Sequence, residues 1–328
     1  MDNLSSTSQT FSKDENRKDC SFIMTENSLT IDSKRGRKLA KLLHRKFFTS
    51  GIFGRDEMPE DILPKGMTKS SLEHLLFITL TVAIDYQRDA NTLWEASRQT
   101  WEDPETQYLF DPEAIHQTHY TKVRKDLQKY KVSKKQKKDT NIWRTVGITF
   151  FKKWNSDPTR FLESCGWKSL EILRRLKTDT HIFYGKPVSD YPYLRGDKIG
   201  PLWLRMLRDN AGITKLKNLE YVPIPVDIHI ARATLTTGVV RGQFNGNLND
   251  LFEHVRNAWF ESVKDLKING HQMTALDVDE PLWHLSKYGC THRNKDTDRC
   301  HLIPECEAGD FCMTGRVKIE NNKVRLNT

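Results

Sequence analysis

The chain has 328 residues, of which 37% are hydrophobic, and this is enough for a folded protein with a sizeable core or two lobes that share a cleft. The best candidate for a membrane span, LLFITLTVAI at residues 75–84, is about half as long as the roughly 20 residues that a membrane helix needs, and the amino terminus lacks a signal-peptide pattern. We therefore expect a cytoplasmic protein without a membrane partner, and its net charge of +9 weakly favours a polyanionic ligand.

Residues 1–33 are rich in Ser, Thr, Asn, Asp and Lys and show no sustained apolar period, so we predict a disordered polar arm. Beyond this arm, apolar residues recur at three- and four-residue steps, which is typical of helices. The first predicted helix begins at Lys34, and the others cover 71–85, 91–101, 112–130, 137–154, 157–164, 168–177, 201–210, 228–236, 247–265 and 271–288. Strand-like alternation is scarce, so the fold class that we predict is mainly α.

The run KVSKKQKK at residues 131–138 concentrates positive charge between two predicted helices. Such a run is more often a solvated turn than a binding site, and contact with phosphate is the alternative.

The segment from Tyr193 to Gly212 reads as a bend followed by an amphipathic helix. Gly196 and Gly200 predict a tight bend, and Pro201 suits the first turn of a helix. Glycines let the main chain approach a surface closely, and the free N–H groups at a helix start suit a phosphate oxygen, to which Lys198 would add charge. An ordinary turn explains the same pattern equally well.

The stretch YVPIPVDIHIARATL places one carboxylate, Asp227, between a proline-stiffened apolar run and the start of a predicted helix. Capping of that helix is the simplest explanation, because an Asp at this position accepts hydrogen bonds from first-turn N–H groups.

Four of the six cysteines fall within 23 residues near the carboxyl end, namely Cys290, Cys300, Cys306 and Cys312. In a reducing cytoplasm such a cluster indicates metal binding before it indicates disulfides. Four thiolates hold either an iron–sulfur cluster or a zinc ion, and a metal that only staples the carboxyl-terminal tail is compatible with the same residues.

Taken in order, KIGPLWLRML and IPVDIHIAR resemble the helix-hairpin-helix DNA glycosylase superfamily, which includes endonuclease III and the mismatch adenine glycosylases. The resemblance implies two helical lobes, a hairpin at Gly196, Lys198 and Gly200 that grips double-stranded DNA, and an essential aspartate at Asp227. It divides the chain into the arm at 1–33, an N-terminal helix and connection at 34–68 that pack on the C-terminal lobe, a barrel-like lobe at 69–214 that ends in the hairpin motif, and a second lobe at 215–328. We expect a monomer associated with the nucleoid.

The cysteines extend this resemblance, with a departure in their spacing. Endonuclease III-like enzymes hold a [4Fe–4S] cluster with C-x6-C-x2-C-x5-C, whereas this chain has C-x9-C-x5-C-x5-C, so zinc remains the alternative cofactor. The family uses the equivalent loop against the DNA backbone, which implies DNA contacts for Arg293, Lys295 and Arg299. The family also places a glutamine of the turn after its second helix at the DNA surface, and Gln87 is the nearest match.

In the family, enzymes that cut the strand carry a Schiff-base lysine two positions after the second hairpin glycine, and Leu202 occupies that position here. The resemblance therefore implies a glycosylase without lyase activity that flips a nucleotide, uses water and leaves an abasic site, with Lys198 as the alternative nucleophile. The base is undetermined, so DNA repair and defence against modified foreign DNA are both open. A non-catalytic, metal-stapled DNA-binding protein is the alternative from another functional class.

We expect the walls of the base pocket to come from the helices of residues 69–185 and from the linker KTDTHIFYGKPVSDYPY. The linker rings that could stack on a base are His181, Phe183, Tyr184, Tyr191 and Tyr193, although packing in the core is the more common use of such rings.

Overall fold

The computed structural model describes residues 27–293 and 300–328, and this part of the chain is mainly helical, as predicted. The twelve α-helices found there are α1 Ser33–Ser50, α2 Leu72–Val82, α3 Ala90–Glu102, α4 Pro112–Gln117, α5 Tyr120–Lys129, α6 Gln136–Trp154, α7 Pro158–Ser164, α8 Ser169–Thr178, α9 Ile199–Asp209, α10 Ile228–Thr236, α11 Phe252–Val263 and α12 Asp279–His284. Neither described range contains a helix with the length and apolarity needed to cross a membrane.

Side-chain caps explain where several helices begin. Asp111 and Asp157 accept hydrogen bonds from first-turn amides of α4 and α7, and a proline occupies the first turn of each helix, as the sequence predicts. The helix predicted over 112–130 is divided in two, because His119 adopts an extended conformation and caps α5 with its own side chain. Local capping therefore overrides the continuous apolar period of this segment.

The structure contains strands that the sequence analysis did not predict. Residues 28–31, which the composition assigns to the disordered arm, form β1 Ser28–Ile31, and Asp32 then caps α1. β1 joins a four-stranded antiparallel sheet in the order β1-β4-β8-β7, with β4 Val240–Asn247, β7 Arg316–Glu320 and β8 Lys323–Asn327. Tertiary pairing therefore orders polar segments that have little apolar periodicity of their own.

Two hairpins replace further predicted features. β2 Thr180–Phe183 and β3 Lys186–Ser189 pair within the predicted linker. β5 Lys267–Ile268 and β6 His271–Gln272 pair where a helix from 271 was expected, and that region becomes α12 followed by a π-helical turn, Leu285–Gly289. The helix expected over 247–265 begins later, at Phe252, because Asn247 ends β4 and a 3₁₀ turn follows it.

The buried apolar side chains form two separate cores. The first contains residues between Met67 and Val222 together with Leu276. The second joins α1 and the connection after it, from Leu39 to Met58, to residues from Ile224 onward, including the inner face of the sheet. A cleft lies between these cores.

Candidate functional site

The cleft encloses a cavity of about 60 Å³ with strongly charged walls. The walls come from the turn between α2 and α3, one face of α9, the segment that enters α10, and α12 with the π-helical turn after it. The central charged side chains are Glu60, Asp85, Lys198, Arg205, Asp227 and Asp279.

Asp227 divides its two carboxylate oxygens between two partners. Oδ1 accepts hydrogen bonds from the backbone amides of His229 at 2.8 Å and Ile230 at 3.0 Å, so Asp227 caps α10. Oδ2 lies 3.6 Å from Nζ of Lys198. Burial by itself would raise the Asp227 pKa, but the Lys198 charge and the amide hydrogen bonds outweigh it and hold the pKa below its usual value. The carboxylate is therefore ionised at neutral pH, and capping occupies only one of its oxygens.

Lys198 lies in the cleft, with its ammonium between two carboxylates. Nζ is 3.6 Å from Asp227 and 3.8 Å from Oδ2 of Asp85, and the side chain is 29% exposed. Burial opposes the charged form, but the carboxylates of Asp85, Asp227 and Asp279 outweigh burial and raise the Lys198 pKa. Lys198, predicted as a contact to the DNA backbone, is instead a protonated partner of the predicted essential aspartate.

Arg205 forms the floor of the cleft and was missed by the sequence analysis. Its fully buried guanidinium pairs with Glu60, with Glu280 at 2.6 Å and with Asp279 at 3.3 Å. Burial raises the pKa of Asp279 to about 7 and that of Glu280 to about 8. One signal in the sequence pointed to this site: Lys198, Leu202 and Arg205 recur at helical spacing, which places a charged residue on the buried face of an apolar helix.

The two glycines before and within α9 are used differently from the prediction. Neither has a positive φ, so neither provides a left-handed bend. A Cβ on Gly200 would lie 2.9 Å from both the Leu194 carbonyl oxygen and the Leu173 side chain, so glycine permits close packing of α9 against α8. The left-handed residue of this turn is Tyr193, with φ of 68°. The chain between α8 and α9 is also longer than a simple hairpin, because β2 and β3 are inserted there.

The turn between α2 and α3 forms one rim of the cleft. Gln87 is exposed at this turn, as predicted for a surface residue, and its Oε1 accepts a hydrogen bond from Lys135 Nζ at 2.6 Å. Asp89 forms an ion pair with Lys287 from the opposite core, so the pair connects the two sides of the mouth. These charged rim residues follow apolar helices in the sequence, but no local pattern indicates that they meet.

The aromatic residues of the predicted linker do not line the cleft. Tyr191 is fully buried in the first core, and Tyr193 stacks on Tyr86 with ring centroids 4.3 Å apart. Phe183 and Tyr184 lie at the exposed end of the β2–β3 hairpin. His181 pairs with Asp190 at the base of that hairpin. The expectation that these rings form a base pocket is therefore wrong for the described structure.

The four cysteines line one small cavity in the second core. Among the described residues, however, no three His, Cys, Asp or Glu side chains converge closely enough to hold a single metal ion. Burial raises the pKa of the Cys290 thiol to about 12 and that of Cys306 to about 11, so a bound metal would have to displace their protons.

The cysteine cavity is connected to the cleft through α10. Thr236 lies at the C-terminal end of this helix, and its hydroxyl donates to Cys290 Sγ at 3.1 Å, while its carbonyl accepts from the Met313 amide at 2.8 Å. Asp227 caps the other end. The cysteine segment therefore supports the helix that positions the cleft carboxylate.

Arg293 does not have the exposed position expected of a DNA contact. It is 6% exposed, and its guanidinium donates to the carbonyl oxygens of Met313 and Gly315, both at 2.8 Å, and to Cys312 Sγ at 3.2 Å. These contacts hold the cysteine segment together, so the prediction that Arg293 contacts the DNA backbone is wrong for this structure. Lys295 and Arg299, predicted for the same role, lie outside the described residues.

Neither a scan against models of known protein families nor a search of curated proteins finds a match for this chain. The evidence on function is therefore the arrangement of the chain's own side chains.

Proposed function

We propose that this protein is a DNA N-glycosylase that hydrolyses the glycosidic bond of a nucleotide flipped out of double-stranded DNA. The observation that carries the proposal is the Asp227 carboxylate, which caps α10 with one oxygen and presents the other to a cleft between two cores. The order of the α9 segment and the Val226-Asp227-Ile228-His229 segment, which resembles the glycosylase superfamily, supports the same reading.

The chemistry requires a fixed negative charge beside the deoxyribose. As the base departs, positive charge develops on the sugar, and a carboxylate in a partly desolvated cleft stabilises it and orients the attacking water. Asp227 is suited to this role because its lowered pKa keeps it ionised and its two amide hydrogen bonds restrict its direction.

We assign the attack to water rather than to Lys198. An amine is a nucleophile only in its neutral form, and the raised pKa of Lys198 between Asp85 and Asp227 favours the ammonium. Leu202, one helical turn later on the same face, has no nucleophilic group. Lys198 then acts as a positioning residue that holds the Asp227 carboxylate in its ionised form.

The start of α9 is the proposed contact for the strand that carries the target nucleotide. No side chain caps this helix, so amides of its first turn are available to a phosphate oxygen, and the helix dipole favours an anion there. Packing around Gly196 and Gly200 holds this turn close to α8 and leaves little space between backbone and ligand.

For the cysteine site we propose a [4Fe–4S] cluster, held by Cys290, Cys300, Cys306 and Cys312, with zinc as the alternative. A single zinc ion needs sulfurs about 2.3 Å from one centre, whereas a cluster binds each cysteine at a separate iron. Four cysteines around one cavity without close convergence suit the cluster better. Its contribution would be structural, since it would order the segment that supports the C-terminal end of α10.

The decisive experiment is a base-release assay on duplexes that carry damaged, mismatched or modified bases, followed by alkali to reveal abasic sites. We expect alkali-dependent breaks with the wild type and at least about 100-fold less product with Asp227→Asn, which removes the charge and keeps a capping side chain. The matched control is Asp157→Asn, the same change at the cap of α7, which we expect to retain activity.

The alternatives predict different outcomes. Breaks that form without alkali would indicate a lyase and would return Lys198 to consideration as the nucleophile. Full activity in Asp227→Asn would remove that residue from the chemistry. DNA binding without base release on any duplex of the panel would favour the non-catalytic DNA-binding protein.

A further inference from the structure

The segment from Tyr120 to Lys138 carries much of the chain's positive charge. Within its 19 residues are nine Lys or Arg residues and a single acidic residue, Asp126, whereas the whole chain has a net charge of +9. Five of these cations form the loop between α5 and α6 and the start of α6: Lys131, Lys134, Lys135, Lys137 and Lys138. All five are exposed, and none forms an ion pair with an acidic group of residues 27–293 or 300–328.

The nearest carboxylate in sequence, Asp139, is already used to build this loop. It is 2% exposed and accepts hydrogen bonds from the backbone amides of Lys134 and Lys135, both at 2.7 Å, from the Ser133 hydroxyl at 3.2 Å, and from the Tyr86 hydroxyl. The loop is therefore held in a defined conformation by a buried acid that leaves the lysine ammonium groups at the surface. A solvated turn needs no such support.

The loop lies against the rim of the cleft. Nζ of Lys134 donates to the Gln87 carbonyl at 2.8 Å, and Nζ of Lys135 donates to the Gln87 side chain at 2.6 Å. Lys138 lies over the stacked rings of Tyr86 and Tyr193, 5.0 Å and 4.7 Å from their centroids. These contacts attach the lysines to the α2–α3 turn and to the turn before α9, which both contribute to the cleft.

A second attachment comes from the cleft wall itself. Arg88, which lines the cavity, donates through its guanidinium to the carbonyl oxygens of Val132 and Lys131. The same turn that supplies Asp85 to the cleft therefore supports the lysine loop. Any polyanion that lies across the mouth of the cleft along this rim meets the ammonium groups.

We propose that residues 131–138 form a phosphate-binding surface for the backbone of duplex DNA beside the nucleotide that enters the cleft. The inference rests on the glycosylase function proposed above. Lysines act as point charges toward phosphate without reading sequence, and a row of exposed ammonium groups suits a regularly charged backbone better than the mixed surface of a protein. The surface contributes affinity and register, and the cleft selects the base.

The test compares two triple variants that remove equal charge. One is Lys134→Gln, Lys135→Gln and Lys138→Gln in the loop. The control is Lys34→Gln, Lys38→Gln and Lys41→Gln on the exposed face of α1, whose other face packs in the second core. Both are made in the full chain with Asp227→Asn, and affinity for an unmodified duplex is measured by fluorescence anisotropy over a range of salt concentrations.

We expect the loop variant to reduce the slope of log affinity against log salt by about 3, because each phosphate contact contributes about 1 to this slope. We expect the control variant to retain the slope of the parent protein. Equal slopes for the loop variant and the parent would overturn the proposed surface, and so would equal losses in both triple variants, because general charge would then explain the effect.

The failure of the surface can be distinguished from failure of the function. If the parent binds duplex with a steep salt dependence but the loop variant behaves like the parent, only the surface is wrong. If the parent shows no salt-dependent affinity for DNA, the glycosylase proposal fails as well. Unchanged thermal melting of the loop variant verifies that the Asp139-supported fold of the loop remains intact.

Discussion

The partnership between Lys198 and Asp227 can be tested by removing one charge. Lys198→Gln keeps a polar side chain of similar reach and takes away the positive charge 3.6 Å from Oδ2 of Asp227. Lys198→Arg is the matched control, because it retains the charge. The ionised Asp227 then loses its main electrostatic support in the first variant only, so its pKa should rise.

The size of the rise follows from the geometry. Two unit charges at this distance interact by about 4 kcal/mol at an effective dielectric constant of about 20. Water reaches both side chains, which are 29% and 21% exposed, and Asp85 shares the ammonium, so we reduce the effect to about 1.4 kcal/mol, or about one pKa unit. Loss of the cation therefore moves protonation of Asp227 upward toward pH 5.

The assay is single-turnover base release measured from acid to neutral pH. Wild type and Lys198→Arg should keep their rate down to about pH 4, since the Asp227 pKa lies below 3.8. Lys198→Gln should lose activity about one pH unit higher while its rate at neutral pH falls less than about tenfold. Titration of His229 would shift all three profiles equally, so the difference between variants isolates the Lys198 charge.

Two results would refute this reasoning. An unchanged acid limb in Lys198→Gln would show that the ammonium does not control the ionisation of Asp227. Covalent trapping of wild-type protein on DNA by borohydride, together with complete inactivity of Lys198→Gln and Lys198→Arg, would identify Lys198 as a nucleophile.

Three further predictions concern the support of the site. Arg205→Met leaves the buried carboxylates that it pairs with uncompensated, and should lower the free energy of unfolding by about 3–5 kcal/mol, measured by urea denaturation at neutral pH; a loss below 1 kcal/mol would contradict the buried network. Because burial raises the Glu280 pKa from 4.5 to about 8, the folded state retains a proton that the unfolded chain releases, so stability should fall as pH rises from 5 to 8. Glu280→Gln should reduce that fall by at least about 1 kcal/mol, and an equal fall in both proteins would exclude Glu280 as its cause. Purified protein should be brown and contain about four irons per chain, with colour and melting temperature both lowered in Cys306→Ser; colourless protein with one zinc ion would refute the cluster.

Several features of the fold are legible in the sequence because their causes are local. Asp111 and Asp157 cap helices through amides two or three residues away, so a short window contains the whole interaction. The same holds for Asp227, whose capping role follows from its place before an apolar helical period. In contrast, β1 and β8 are short polar strands that exist through pairing with β4, which lies more than 70 residues from either of them in sequence, and no local pattern reports that pairing.

The candidate site divides in the same way. The sequence by itself identified Asp227 and the clustered cysteines, because unusual residue types in a short order carry that information. It could not show that Lys198 turns toward Asp227, that Arg205 joins three acids, or that Arg293 is buried against the cysteine segment. Those outcomes depend on charges brought together from distant segments, and the free energy of a buried charge depends on which partners the tertiary structure places beside it.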